Sequence, residues 1–426
     1  NMPAWYHSYH GYAATNLYKI DPRFGTNQDY VNLVKEAHEK GLKIIMDEVM
    51  NHIGSYHWWM KDLPTPDWVH NYNKYGQSNF DLSAISDPYG SHYDQNKMEK
   101  GWFVKAMPDL NQSNPLEATY LIQNTLWWIE YSGIDGIRMD TFPFNNKYFM
   151  ARWVQAIKKQ FPEFNIVGEV WSPDVGTASY WQENTHNKDG YNSHLPSITD
   201  YALWFATTDA FTAKPGSQNG VMHLYNTLSQ DFLYTNPFNN VIFLDDHDTD
   251  RFGGIIKKDK DYFKMATAFL LTTRGIPTIY YGDEIMMSSL KNGADGNVRK
   301  DFPGGWPGDP HDAFTEAGRT PLQNEIFDYT RKLAHFRDSH PVLESGHLMQ
   351  FVPQNDVYVY FRYNEKETIM VVLNLNDKDI TLNTSHFAER MNGFDKALEV
   401  TTGKTINNLN TLDLPAKTAW ILQLEK

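Results

Sequence analysis

Short apolar runs rich in β-branched residues recur along the first two thirds of the chain, at Leu42 to Val49, Ile134 to Met139, Asn165 to Val170, Asn240 to Leu244 and Ile276 to Tyr281. Each has the length of a strand rather than a helix. Between them apolar positions return every three to four residues, which predicts helices at about 29–40, 114–132, 147–160 and 260–274. The second of these carries its own start signal, with Asn114 as N-cap, Pro115 at the first helical position and Glu117 placed to close a capping box. Strands alternating with helices predict an α/β fold with a parallel sheet wrapped by helices, an arrangement of which the (β/α)8 TIM barrel is one form. Residues 52–107, richer in His, Asn, Trp and Pro, break that alternation and read as an inserted lobe. From about residue 346 the period becomes strict alternation, as in Asp356-Val357-Tyr358-Val359-Tyr360-Phe361, with no helices between. That tail predicts an antiparallel β-sandwich. The expected domains are therefore barrel at 1–51, lobe at 52–107, barrel again at 108–345, and a β domain at 346–426.

The 426 residues are 41 % hydrophobic, enough for a large core, yet no stretch approaches the roughly 18 apolar residues of a membrane-spanning helix. Nor does the chain open on a basic-then-apolar signal segment. With 38 basic against 52 acidic residues the net charge of −14 repels a phosphate backbone, which excludes nucleic acid as a partner. The absence of cysteine excludes disulfides, thiol catalysis and cysteine-bound zinc. No glycine-rich phosphate loop is present either. Aromatic residues at 15 % fit neutral sugars, whose C–H faces stack on rings, and equally fit a large barrel core.

Four of the runs end in acids: Asp47, Asp140, Glu169 and the cluster Asp245-Asp246-His247-Asp248. In a parallel barrel that end is the catalytic face, so carboxylates far apart in sequence are expected to converge there. Residues two apart on a strand share a face, which places Arg138 beside Asp140. A guanidinium there lowers the carboxyl pKa and keeps a nucleophile ionised; a structural ion pair explains the same spacing equally well. Glu169 is followed by Trp171, and an apolar wall raises a carboxyl pKa as a general acid requires. Retaining glycoside hydrolysis needs one carboxyl of each kind. His52 and His247 are candidate neutral donors to hydroxyl groups. Four acidic or titratable groups in succession at 245–248 are costly unless something engages them.

At this point a resemblance becomes specific. His10-Gly11-Tyr12 with Ile20-Asp21-Pro22-Arg23-Phe24-Gly25, then Asp47-Glu48-Val49-Met50-Asn51-His52, Gly136-Ile137-Arg138-Met139-Asp140, Gly168-Glu169-Val170-Trp171, Phe243-Leu244-Asp245-Asp246-His247-Asp248 and Gly275-Ile276-Pro277-Thr278-Ile279-Tyr280-Tyr281-Gly282 resemble the ordered motifs of the α-amylase superfamily. The resemblance implies that Asp140 is the nucleophile, Glu169 the general acid/base and Asp248 the third carboxylate, holding the 2- and 3-hydroxyls. It implies that Arg138 orients Asp140, that Tyr12 stacks on the reacting sugar, that His10, His52 and His247 bind its hydroxyls with Asp47 in support, and that Asp295 and Arg299 hold the next glucose. The tracts His57 to Pro64 and Asp301 to Trp306 look like the cyclomaltodextrinase and neopullulanase branch of bacterial starch-utilisation systems. That branch implies α-1,4 cleavage of cyclodextrins, pullulan or maltooligosaccharides, a homodimer, and an exported or periplasmic address with the cytoplasm as the alternative. The rival readings are an α-1,6-glucosidase or glucanotransferase of the same fold, and a non-catalytic glucan-binding protein.

Several positions depart from the pattern. Glu48 replaces an aliphatic residue and by alternation is expected to face outward with little consequence. Asp246 stands where asparagine is common. Asn51 and Asp109 match positions that hold calcium in starch amylases, but two ligands do not make a site, so no cofactor is required and calcium is at most structural. The first motif belongs after the second barrel strand yet begins at residue 10, so the expectation is that two strands lie upstream of this sequence.

Overall fold

The acid-ended runs are strands, and they are parallel. The computed structural model describes residues 8–426. They fall in two units, one running to Thr199 with Leu233–Thr235, the other taking Asp200–Phe232 and Asn236–Lys426. In the first unit β1 (Ile45–Glu48), β2 (Gly136–Met139), β3 (Asn165–Gly168) and β4 (Ser197–Ile198) form one parallel sheet in that order. The register sets Asp47 opposite Arg138 and Met139 opposite Gly168, so the residues that follow each strand emerge level with one another. β4 is absent from the sequence reading because two strand residues in Leu195-Pro196-Ser197-Ile198-Thr199 make no apolar run. A Cβ at Gly168 would sit 2.6 Å from Leu195 Cδ2 and 3.0 Å from the Phe142 ring, so these buried side chains would have to shift to admit one.

The Asn27–Glu39, Pro115–Ser132 and Lys147–Gln160 helices fall within about two residues of their predicted spans. Asn114 caps the second as expected, accepting from the N–H groups of Leu116 and Glu117. The capping box does not form. Glu117 turns into the core, neither of its carboxyl oxygens has a hydrogen-bond partner, and burial pushes the acid up to about 9. Residues 52–107 hold only a short turn of helix at Trp58–Met60 and the Ser83–Ser86 and His92–Lys100 helices, tied together by isolated bridges such as His52 with Asp109.

Glu48 overturns one expectation. It does face away from Asp47, but onto the helix layer: it is 6 % exposed, and its Oε1 accepts from Thr125 Oγ1 at 2.6 Å. Trp153 Nε1 donates to that same hydroxyl at 2.8 Å, while Glu48 Oε2 has no partner. Alternation predicted the side correctly and missed that this side is core.

In the second unit β5 (Val241–Phe243) and β6 (Ile276–Thr278) pair in parallel. Gly275 enters β6 at φ +101°, where a Cβ would also lie 2.9 Å from the Asn240 carbonyl. The Lys260–Thr272 helix is as predicted. The Tyr201–Thr212 helix is not predicted, because it is buried on nearly every side and has no polar face to reveal a period. The 19-residue Pro321–Ser339 helix is also missed, although Thr320, Pro321 and Gln323 spell a capping box that does form. No helix among the described residues is long and apolar enough to cross a membrane.

The tail is a β-sandwich. A six-stranded sheet comprises β7 (His347–Gln350), β8 (Val357–Tyr363), β9 (Thr368–Asn374), β11 (Lys396–Glu399), β12 (Lys404–Ile406) and β14 (Thr418–Glu425), and it faces a pair made of β10 (Ile380–Asn383) and β13 (Thr411–Leu414). Alternation along β8 sends Val357, Val359 and Phe361 into the sandwich with Leu412 and Leu414. Tyr358 and Tyr360 point the other way, into a core shared with Phe263 and Phe269 of the Lys260–Thr272 helix and Leu333 of the Pro321–Ser339 helix. The boundary expected at 345/346 thus marks a change of period and not a break in packing.

Burial raises the Glu48 carboxyl from 4.5 to about 8, so the folded state holds a proton that the unfolded chain releases. That contribution is complete below about pH 4.5 and is lost as pH rises towards 8. Glu48→Gln, which keeps an acceptor for Thr125 and removes the ionisation, is expected to gain on wild type by roughly 3–5 kcal/mol between pH 4.5 and 8, read as a growing difference in melting temperature.

Candidate active site

Arg138 is the centre of the first unit's strand ends. Its Nη1 reaches Asp47 Oδ1 at 2.9 Å and Asp140 Oδ1 at 2.7 Å, and its Nη2 reaches Glu169 Oε1 at 2.6 Å. One planar fork therefore gathers the acids that end β1, β2 and β3. The predicted shared face of Arg138 and Asp140 is as expected, but the electrostatic outcome differs. Burial pushes Asp140 up to about 6, against the downward pull of Arg138, with Asp47 adding to the rise. Glu169 also departs from the expected apolar setting. Beyond the Arg138 ion pair, its Oε2 accepts from the Thr141 backbone N–H at 2.8 Å. Trp171, two residues on, is half-exposed.

Thr141 is a site residue the sequence analysis does not identify. It sits at φ 45°, ψ 42°, a left-handed conformation costly for a β-branched side chain. That backbone turn aims its N–H at Glu169 while its Oγ1 donates to Asp140 Oδ2 at 3.1 Å. Adjacency to Asp140 was the only sequence signal for it.

The remaining first-unit residues assemble around Asp47. Tyr12 Oη donates to Asp47 Oδ2 at 2.7 Å, and its ring stacks on His10 with centroids 5.8 Å apart. His10 Nδ1 in turn accepts from the Tyr12 backbone N–H at 3.1 Å. His52 is buried with its Nε2 unpartnered, and burial lowers its pKa to about 4, so it is the neutral imidazole expected.

In the second unit the acidic run is resolved by giving each acid its own partner. Asp248 pairs through Oδ1 with Arg299 Nη2 at 2.6 Å and through Oδ2 with His247 Nε2 at 3.0 Å. Arg299 Nε also donates to the His247 carbonyl at 2.8 Å, and Asp295 lies alongside, held by Lys291 at 2.7 Å. All four residues expected here, His247, Asp248, Asp295 and Arg299, are thus brought together. Asp246 does more than add charge: its Oδ1 accepts from the Asp248 backbone N–H at 2.8 Å, and its Oδ2 from Tyr201 Oη at 2.5 Å.

Asn51 and Asp109 are brought together too. Asp109 is buried, takes a hydrogen bond from Asn51, and shares a hydrogen bond with His70 Nδ1 at 2.7 Å. Burial, with Glu99 and Glu117 nearby, holds its carboxyl well above the ordinary range, and burial keeps His70 neutral, its pKa lowered to about 4. Calcium asks for roughly six to eight oxygens. Among the described residues no group of three or more acidic or histidine side chains has metal-site spacing, and the His70 imidazole takes up Asp109 Oδ2.

Parallel strands wrapped by helices, with carboxylates gathered at their C-terminal ends, define the class: a (β/α)-barrel enzyme. The chain belongs to the alpha-amylase family, whose catalytic-domain model matches residues 4–311, followed by the cyclo-malto-dextrinase C-terminal domain at 348–423. Among curated relatives it is 29 % identical over 383 residues to "Alpha-amylase 2" of Dictyoglomus thermophilum, across 88 % of this chain and 60 % of that protein. It is 28 % identical to the "Cyclomaltodextrinase" of Thermoanaerobacter pseudethanolicus, across 98 % of this chain and 66 % of the relative. The chain therefore spans only about three fifths to two thirds of the length of these relatives. Among solved structures, the alpha-amylase of Geobacillus thermoleovorans complexed with acarbose superposes with a TM-score of 0.80 at 28 % identity, covering 98 % of this chain and 85 % of that one.

Asp246→Asn keeps an acceptor for the Asp248 N–H and is expected to change stability by less than about 1 kcal/mol. Asp246→Ala removes the acceptor of that N–H and of the Tyr201 hydroxyl, and about 1–3 kcal/mol should be lost in denaturant unfolding.

Proposed function

We propose that this chain is a retaining hydrolase of α-1,4-glucosidic bonds in cyclodextrins, pullulan or short maltooligosaccharides. The observation that carries the reading is the Arg138 fork, which holds Asp140 and Glu169 side by side on neighbouring nitrogens. Asp140 attacks the anomeric carbon and forms a glucosyl ester as the glycosidic C–O bond breaks, while Glu169 gives its proton to the departing oxygen. Glu169 then takes a proton from water as that water displaces Asp140 from the sugar, restoring both carboxyls. Three carboxylates around one guanidinium carry a net charge of −2 when all are ionised, which favours uptake of the proton that Glu169 needs. Thr141 holds the two carboxyls in register.

The role of Asp248, binding the 2- and 3-hydroxyls, follows the family motif. Arg299 and His247 support it by keeping that carboxylate ionised and fixed. Tyr12 supplies the stacking face for the reacting sugar, with His10, His52 and His247 as hydroxyl partners, Trp171 as a further aromatic wall, and Asp295 with Arg299 at the adjoining glucose. No metal takes part in these steps. The branch resemblance extends the reading to a homodimer at an exported or periplasmic address, which cell fractionation and sedimentation separate from a cytoplasmic monomer.

Digestion of pullulan and γ-cyclodextrin decides the matter: panose from the first and maltose from the second are expected. Cleavage confined to α-1,6 bonds, or products longer than the substrate, would replace this reading with debranching or transfer, and no turnover would leave a glucan-binding protein. Asp140→Asn should lower turnover by at least about 10³-fold while maltooligosaccharide binding stays measurable by calorimetry. Chelation with EDTA should leave turnover within about twofold, since the steps above use side chains alone and Asp109 is engaged by His70.

A further inference from the structure

A second pair of acids lies beneath the Asp248 turn and takes no part in the chemistry above. Asp245, which ends β5, is fully buried, and Asp283, just beyond β6, is 5 % exposed. The two carboxyls lie close enough for each to act on the other's protonation. As carboxylates, however, neither has a donor to offer: Asp245 Oδ1 and Asp283 Oδ1 are both buried acceptors without a donor. Two unhydrated like charges in contact are strongly disfavoured. A single proton between them turns the contact into an O–H···O hydrogen bond. The buried cation Arg251 completes the balance, with its Nη1 3.6 Å from Asp283 Oδ1 and its guanidinium 3.8 Å over the Tyr280 ring. One positive charge against one shared negative charge is neutral; two ionised carboxylates would not be. The other charged groups at the pair are their chain neighbours Asp246 and Glu284.

This neutral triad is wired to the residues that hold Asp248. Asp245 Oδ2 accepts from the Phe252 N–H at 2.5 Å, closing the 245–252 turn from below. Arg251 donates from its backbone to the Ser289 carbonyl at 3.1 Å, from Nε to the Val298 carbonyl at 3.0 Å, and from Nη1 to the Tyr281 carbonyl at 2.6 Å. Val298 precedes Arg299, the partner of Asp248. We propose that Asp245 and Asp283 are positioning residues which hold one proton between them and, with Arg251, lock the 245–252 turn onto the 281–299 segment so that Asp248 and Arg299 meet. The proposal rests on the reading of Asp248 as a substrate-binding carboxylate. Burial pushes both acids up, Asp245 to about 6 and Asp283 well above the ordinary carboxyl range, in keeping with a proton held between them.

The test uses the full chain. D283A removes the donor and should cut kcat/KM on maltoheptaose at least about tenfold, whereas D283N, which restores a neutral donor in the same place, should recover most of that loss. Should D283A fail to fold, the D245N/D283N double variant keeps both shapes but leaves Arg251 without a counter-charge, and an equal loss relative to D283N is expected. The proton itself is read without activity. It is bound in the folded state and released on unfolding, so wild type loses stability from about pH 4 upward. The melting temperature of D283N minus that of wild type should accordingly grow by about 3–6 °C between pH 5 and 8. A difference that stays flat with pH overturns the shared proton, and D283A with wild-type kcat/KM overturns the positioning role. If wild type hydrolyses no α-glucan at all, the proposed function fails and the positioning role with it, while the pH series still reports on the proton alone.

Discussion

One guanidinium fixes the chemistry of the first unit. Arg138 is the residue through which the ends of β1, β2 and β3 come together, pairing with Asp47, Asp140 and Glu169 at once. Its fork geometry matters as much as its charge, because a point charge on a flexible stem cannot hold three carboxyls at defined angles. The strained Thr141 turn is the second half of the same device: the backbone accepts a left-handed conformation so that one N–H and one hydroxyl bind the two carboxyls from the side Arg138 leaves open.

The second unit meets the same difficulty, too many acids in one place, by distribution. Asp245, Asp246 and Asp248 are consecutive or nearly so, yet each finds a different partner: a shared proton, a tyrosine hydroxyl with a backbone N–H, and an arginine with a histidine. Elsewhere in the molecule acids that face the helix layer are handled by protonation alone. Glu48 and Glu117 sit in the core as neutral carboxylic acids, with burial as the cause in each case. Asp47, Asp140 and Glu169 are met by Arg138 and Asp248 by Arg299, whereas Glu48, as buried as Asp140 and set beside Thr125 and Asp47, is met by a proton.

Much of this was legible along the chain because the signals were local. Runs of four to eight apolar residues marked most barrel strands, the alternation after residue 346 marked the sandwich, and Asn114 with Pro115 marked a helix start. The acids that end β1, β2, β3 and β5 were readable because a strand's end and its facing are both set by a period of two. The misses share a cause as well. β4 is two residues long, the Tyr201–Thr212 helix has no exposed face, and Glu117 caps nothing because the core claims its side chain.

What the sequence determined by itself was therefore the parallel α/β scaffold, the β-sandwich and the identity of the acids at the strand ends, all of them consequences of periodicity and of motifs in order. Only the tertiary structure decided how those acids are charged. Protonation depends on which groups a side chain meets and how much water reaches it, and those groups come from distant parts of the chain: Arg138 and Asp47 are 91 residues apart, Asp248 and Arg299 51. Spacing along the chain placed Asp140 beside Arg138; burial, which no local pattern records, decided that its carboxyl is nonetheless pushed up.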